Sequence, residues 1–364
     1  MTTPAALAAA VEQVASRQGP RHVGLVVGAM TAGGVRSVVP AGHLRAPDGA
    51  APRADTLFEI GSVTKVFTAL LLADAVIRGE LTLDSPVADL LDITVPTRDG
   101  VAITVEHLAT HTAGLPNNPM PFNAALRTAW TARDGDPWEA IDREALLDVL
   151  TGTKLRQTPG TGRITYSNLG AGVLGHALVA VSPHRDFGEL VRSRICTPLG
   201  MADTVLLPDA DQTRRQATGH RRRRRPTGHW QVAGLPGAGA LRSTATDMLT
   251  FLHAQLDPAA TPIGPAIALT HQERRPGKRL GIGLGWLRVP TPGGQVMLWH
   301  NGGTGGFRAF AGFIPDMSVG AVVLANDLRS VDRVGVELLP ALRSLPEGGR
   351  RPLRARPTTL PIEW

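Results

Sequence analysis

At 364 residues, 43% of them hydrophobic, the chain has ample material for a large buried core, and a formal charge of +7 is moderate for this length. The single cysteine, Cys196, excludes an internal disulfide and reads as a small buried hydrophobe. No window carries the long uncharged apolar run of a membrane span, so a soluble globular protein is expected.

The chain opens Met1-Thr2-Thr3-Pro4-Ala5-Ala6-Leu7, without a basic n-region, and Glu12 interrupts the apolar run that follows. This reads as a helix over about 3–18 rather than an export signal, which places the expected protein in the cytoplasm. Two strands follow, 22–30 and 35–44, joined by the turn Ala32-Gly33-Gly34.

The next element is the most informative. After Ser62, the residues Val63, Val66, Phe67, Leu70, Leu71 and Ile77 keep the spacing of a helical face, and few polar residues interrupt them. A helix so apolar on nearly every side belongs in a core. Gly61-Ser62 is its expected start, with the serine near the free N–H groups, and Gly79 its expected stop. Residues three apart on a helix are neighbours, so Ser62 and Lys65 come within reach of each other. A serine hydroxyl needs a base to become a nucleophile, and a desolvated lysine can lose its charge and be that base. Arginine cannot, and this chain uses thirty-five arginines against three lysines. The alternative for the pair is a helix cap followed by a lysine that extends to water.

From about 80 to 234 the chain reads as helices and long Pro/Gly loops, a second lobe. His107 and His111 stand four apart, a spacing that suits a metal, but no third ligand accompanies them and no metal is expected. The only tyrosine, Tyr166, sits in Tyr166-Ser167-Asn168 after a Pro-Gly turn and before an apolar helix over 171–181; core packing is its plain alternative. Arg214, Arg215 and Arg221 to Arg225 put seven arginines within twelve residues. Such a block reads as a solvated loop, or as a site for an anionic partner; it lacks the aromatics of a nucleic-acid surface.

Toward the C-terminus, 296–300, 308–314 and 319–325 read as strands, Pro315-Asp316 as the turn between the last two, and about 330–345 as a closing helix. The glycines of Trp299-His300-Asn301-Gly302-Gly303-Thr304-Gly305-Gly306 would let a substrate approach the backbone closely. A phosphate loop is excluded, for want of its lysine and following helix. The tail after Pro346, rich in arginine and proline, reads as extended or disordered.

With Ser62-x-x-Lys65, Tyr166-x-Asn168 and His300-x-Gly302 in this order, the chain resembles the serine β-lactamase and penicillin-binding-protein-like superfamily. The likeness is greatest to its class C branch, which includes esterases, D-amino-acid peptidases and acyltransferases. The stretches 103–116, 159–175, 198–204 and 241–252 also look like family sequence, so the resemblance runs from about 58 to 326. It implies an α/β (α+β) fold: an antiparallel sheet of five or more strands flanked by helices, built from about 1–79 and 235–345, plus the mainly helical lobe of 80–234. These form one catalytic domain over 1–345, followed by a tail over 346–364.

The resemblance also implies roles. Ser62 would be acylated, Lys65 and Tyr166 would share general-base and general-acid work, and Asn168 would orient Lys65 and the substrate. The N–H groups of Ser62 and Gly303, beside Gly302, would form the oxyanion hole. In the class C β-lactamases a lysine in the third motif helps hold the drug's carboxylate; here His300 stands there, so that cation is weaker or absent at neutral pH. The arginine run would pass near the rim of the site. The expected protein is a cytoplasmic β-lactamase-related serine hydrolase acting on a small ester or amide, neutral or anionic, with no cofactor, metal, nucleic acid or membrane. The alternatives are a transacylase, a true β-lactamase or D-Ala peptidase, and a catalytically silent binding protein.

Overall fold

The computed structural model describes residues 3–120, 136–277 and 280–342. Its centre is a seven-stranded antiparallel sheet, in which neighbours run Arg36–Gly42, Gly24–Thr31, Val319–Ala325, Arg308–Ile314, Val296–Gly303, Leu287–Pro290 and Gly281–Ile282. The two ends of the chain therefore meet in mid-sheet, with Val27 opposite Val323 and Val323 opposite Phe310.

Successive strand residues point to opposite faces, and the two faces bury into two separate cores. Leu25, Val27, Ala29, Trp299, Phe310, Ala321 and Val323 join the N-terminal helix Pro4–Gln18 and the C-terminal helix Asp332–Ala341. Val26, Met30, Leu298, Ala311, Phe313, Val322 and Leu324 join the helices Thr64–Ile77 and Ala245–Leu256. Strand Val319–Ala325 is buried at every position because both of its faces are covered.

Against the sequence, strands 308–314 and 319–325 are found where expected, and 22–30 and 35–44 shorten to Gly24–Thr31 and Arg36–Gly42. Strand 296–300 runs on to Gly303, since Asn301, Gly302 and Gly303 still pair with Phe310, Ala309 and Arg308. The closing helix spans Asp332–Ala341, and the tail over 346–364 lies outside the described residues. Among the described residues no helix is long and apolar enough to cross a membrane.

The core helix begins later than Ser62. Gly61–Val63 form a 3-10 turn and the α-helix spans Thr64–Ile77, every residue from Thr64 to Ala75 being buried. Ile77, expected on the apolar face, is instead 52% exposed. Gly79 follows with φ +71, the left-handed stop that glycine adopts without strain. The helix end is fastened electrically: Arg194 reaches Asp74 at 3.0 Å and Glu80 at 2.9 Å, while Arg78 bonds Asp74 at 2.7 Å.

The arginine run forms the tip of a small ribbon, Gly219–Arg221 paired with Arg225–Thr227, and all five side chains are exposed. Its base packs on Gly305-Gly306; a Cβ on Gly306 would fall 2.7 Å from Gly219 Cα. Its tip turns toward the end of the first helix, where Arg224 shares a shallow groove with Ser16, Gly19 and His22. Arg214 and Arg215 are committed elsewhere, to Asp211 and Asp203. Cys196 is buried, and burial pushes its thiol up to about 12.

Candidate active site

Gly61 has φ +50, and a Cβ there would fall 2.6 Å from the Gly303 nitrogen, so only glycine lets the Ser62 turn approach the strand end so closely. The Ser62 side chain does not cap the helix, contrary to expectation; no side-chain cap bond is made at this end. The helix continues from a 3-10 turn whose own carbonyls serve the next N–H groups, which leaves the hydroxyl available. It faces Lys65, with Nζ 3.0 Å from Ser62 Oγ.

Lys65 is 4% exposed, and its Nζ has two further partners, Asn168 Oδ1 at 2.8 Å and the carbonyl oxygen of Ala238 at 2.6 Å. Burial holds its pKa well below the usual lysine value. Once deprotonated, the amine has two hydrogens and one lone pair. Both oxygens of Asn168 and Ala238 can only accept, so they take the two hydrogens. The lone pair is left for the one partner able to donate, the Ser62 hydroxyl. Asn168 cannot present its amide nitrogen instead, because its Nδ2 donates to Asn117 Oδ1 at 3.1 Å and Asn118 Oδ1 at 2.9 Å. The N–H groups of Asn168 and Leu169 in turn bond the Asn117 carbonyl oxygen, at 2.6 and 3.2 Å, which ties this loop to the start of helix Asn168–Ala180.

Tyr166 closes the other side of Ser62. It is buried and hydrogen-bonded to Ser62; burial raises its pKa above the ordinary phenol value, and the bond to Ser62 only partly offsets this. The Lys65 Nζ lies 4.7 Å from the Tyr166 ring centre. Behind it stands His111, ring centre 4.6 Å away, whose Nδ1 accepts the Ser167 N–H at 3.3 Å. Burial, then the neighbouring Lys65 and His300, hold His111 well below its usual pKa, so it is neutral. His107 turns elsewhere, into the cap of its own helix, with Thr104 N–H donating to its Nδ1 at 3.2 Å.

The third motif supplies backbone rather than side chain. Thr304 N–H donates to the Phe307 carbonyl at 3.2 Å, so the next facing pair, Gly303 and Arg308, is the non-bonded kind in an antiparallel ladder. The Gly303 N–H therefore turns away from strand Arg308–Ile314. On its other side the neighbouring strand covers only Val296 to Trp299, so the group emerges at an open edge beside the Ser62 turn. Gly302 must be glycine, since a Cβ would meet the Ile60 carbonyl oxygen at 1.9 Å.

His300 departs from expectation. It is 1% exposed, beneath the site, its ring centre 6.3 Å from that of Tyr166, and it does not line the cavity. Strand alternation turns it inward toward Lys65. Its Nδ1 lies 2.6 Å from the Asn301 carbonyl oxygen, and its pKa is lowered to about 3, by burial first and then by Lys65. It offers a substrate neither a charge nor an accessible surface.

The cavity above Ser62 measures about 730 Å³. Ser62, Tyr166, Asn168, Gly302 and Gly303 all line it, as do residues the sequence reading passed over: Asn117, Asn118, Trp138, Trp230, Arg308 and Asp332. None of Arg221 to Arg225 lines it; the ribbon reaches the cavity only through the Trp230 that follows. Among the described residues no group of three or more His, Cys, Asp or Glu could hold a metal.

Residues 9–341 match the Beta-lactamase family. The D-alanyl-D-alanine-carboxypeptidase/endopeptidase AmpH of Escherichia coli is 30% identical over 301 residues, covering 78% of this chain and 74% of that protein. A beta-lactamase of Pseudomonas fluorescens is 28% identical over 307 residues, 75% of this chain and 80% of that one. The class C beta lactamase from Rhodobacter sphaeroides superposes with a TM-score of 0.74 at 29% identity, over 89% of this chain and 94% of the other. A second class C beta-lactamase, 23% identical, shares the fold with a TM-score of 0.79 over 94% and 97% of the two chains. With a family match that takes in both ends of the central sheet and everything between, this chain belongs to the beta-lactamase family of serine hydrolases.

Proposed function

We propose that the chain cleaves a small ester or amide through an acyl-enzyme on Ser62. The observation that carries this is the Lys65 amine, buried and held by two oxygens that can only accept, with its third direction on the Ser62 hydroxyl. In this reading Lys65 takes the proton as Ser62 Oγ bonds to the substrate carbonyl carbon. The carbonyl oxygen gathers negative charge between the N–H groups of Ser62 and Gly303. When the intermediate collapses, the bond from the acyl carbon to the leaving oxygen or nitrogen breaks. Tyr166, which burial keeps protonated, hands its proton to that leaving atom and recovers one from Lys65. Water then enters where the leaving group was and bonds to the acyl carbon, giving a proton to the same pair; as the bond from that carbon to Ser62 Oγ breaks, the pair returns the proton to Oγ, which releases the acid and free Ser62. Asn168 keeps Lys65 aimed throughout.

Incubation with a fluorophosphonate probe, followed by peptide mass spectrometry, tests the reading. One adduct per chain is expected, on Ser62, and none in Ser62→Ala. An adduct on another residue, or turnover of simple esters that survives Ser62→Ala, refutes it.

A further inference from the structure

Among the described residues one β-branched side chain sits in the left-handed region of backbone space: Val232, at φ +49. A branched Cβ crowds the backbone there, so the conformation persists only where its surroundings impose it. Asp136 imposes this one. Its carboxylate is 2% exposed; Oδ2 accepts the N–H groups of Gln231 at 2.9 Å and Val232 at 3.1 Å, and Oδ1 accepts that of Trp138 at 2.9 Å. One buried acid thus ties together two stretches that face the cavity, through Trp138 on one and Trp230 on the other. The turn leads on to the base. The Val232 carbonyl oxygen accepts the Leu235 N–H at 3.0 Å, and the Leu235 carbonyl oxygen accepts the Ala238 N–H at 2.9 Å. The Ala238 carbonyl oxygen in turn accepts from Lys65 Nζ at 2.6 Å. Between them, a Cβ on Gly234 would fall 2.3 Å from the Ile141 carbonyl oxygen, so the two stretches lie in close contact. From the far side Thr68 Oγ1 donates to the Gly237 carbonyl oxygen at 2.7 Å. The short helix Pro236–Gly239 is therefore set from two sides, and the Asp136 side runs through a strained residue.

We propose that Asp136 is a positioning residue for Lys65: by holding Val232 left-handed it keeps the Ala238 carbonyl oxygen on the amine, and so keeps the lone pair on Ser62. This rests on the hydrolase reading for the role of Lys65. Asp136 touches neither Lys65 nor Ser62 and acts only through the turn. Glycine adopts a positive φ without strain, so a chain with glycine at position 232 has far less need of the carboxylate.

A double-mutant cycle tests this, with Asp136→Ala made in the native chain and in Val232→Gly. Two quantities are read: the rate at which a fluorophosphonate labels Ser62, and the titration midpoint of Lys65. The midpoint is followed by NMR of protein carrying lysine labelled with ¹³C at Cε. The chain has three lysines, and the signal lost in Lys65→Met identifies the right one. In the native chain Asp136→Ala should slow labelling roughly 10- to 100-fold, the scale of a small misplacement in a catalytic site, and move the Lys65 midpoint. In the Val232→Gly protein the same change should cost less than about threefold and move the midpoint less. A through-space effect of the lost charge is common to both backgrounds and cancels in the comparison. Equal effects in the two backgrounds overturn the proposal. So does a merely structural Asp136, whose loss lowers Tm and leaves the Lys65 midpoint in place. Asp136→Asn, which keeps the volume and one accepting oxygen, is carried through the same cycle in case the alanine variant does not fold. An alanine variant that folds only in the Val232→Gly protein supports the proposal directly. The NMR readout needs no turnover: a midpoint that moves only beside Val232 upholds the positioning role even if Ser62 proves unreactive.

Discussion

If Lys65 is neutral in the folded enzyme, replacing it with methionine should change how stability depends on pH. In the unfolded chain the amine is solvated and binds a proton below about 10.5; in the fold, burial alone holds its pKa well below that. Between the folded value and 10.5 the unfolded state therefore carries one more proton, so the native enzyme gains stability as pH rises. The gain approaches about 1.4 kcal/mol per pH unit. Below the folded value and above 10.5 the contribution is flat. Methionine has no proton to bind, so the difference in unfolding free energy between enzyme and Lys65→Met isolates this one group. A pH-independent offset is superimposed, because the oxygens of Asn168 and Ala238 lose their donor at about 1–3 kcal/mol each. Urea melts of both proteins at half-unit steps from pH 7 to 10 measure the slope. A flat difference across that range would mean that Lys65 keeps its charge in the fold, and its role as base would fall with it.

Tyr166→Phe removes one hydroxyl from a site otherwise unchanged, and should slow ester turnover by about 10²–10⁴-fold while leaving the melting midpoint nearly where it was. His300→Gln should leave the midpoint of the acid limb of kcat/KM in place, because a ring with a pKa of about 3 is already neutral there; a shifted midpoint would assign that limb to His300 instead of Lys65. Gly61→Ala puts a methyl 2.6 Å from the Gly303 nitrogen at a positive φ, so calorimetry should show a lower Tm and kinetics a lower kcat together. Arg194→Met leaves the buried Asp74 with only its surface partner Arg78, and urea melts should show a loss of about 3–5 kcal/mol.

What could be read in advance follows from how each feature is encoded. Ser62 beside Lys65 is legible because one helical turn brings residues three apart together, and strands 308–314 and 319–325 because their side chains are apolar and bounded by turns. Tyr166 and Asn168 come from the family resemblance; composition alone shows only that the tyrosine is solitary. The Ala238 carbonyl is a backbone acceptor and leaves no mark in any side chain. Asn117 and Asn118 reach Asn168 across fifty residues, a closure that local patterns do not encode. The burial of His300 is a consequence of strand alternation, which separates it from its exposed-edge neighbour Gly303. Arg308 opens a strand whose remaining residues are apolar, and so passes for an edge residue. Strands Gly281–Ile282 and Leu287–Pro290 are too short, and too broken by glycine and proline, to stand out.

The mid-sheet junction of the two chain ends has a consequence for biosynthesis. Leu25 pairs with Ala325, which leaves the ribosome 300 residues later, and the Ser62 turn waits nearly as long for Gly303. Through most of translation, strand Gly24–Thr31 has only its hairpin neighbour and shows an apolar edge to its surroundings. Such high contact order favours slow, late, all-at-once closure and an interval in which the nascent chain can aggregate. Expression yield should therefore respond to chaperones and to slower synthesis more than to mutations that stabilise the finished enzyme, and a chain cut before Val296 should yield no catalytic fragment at all.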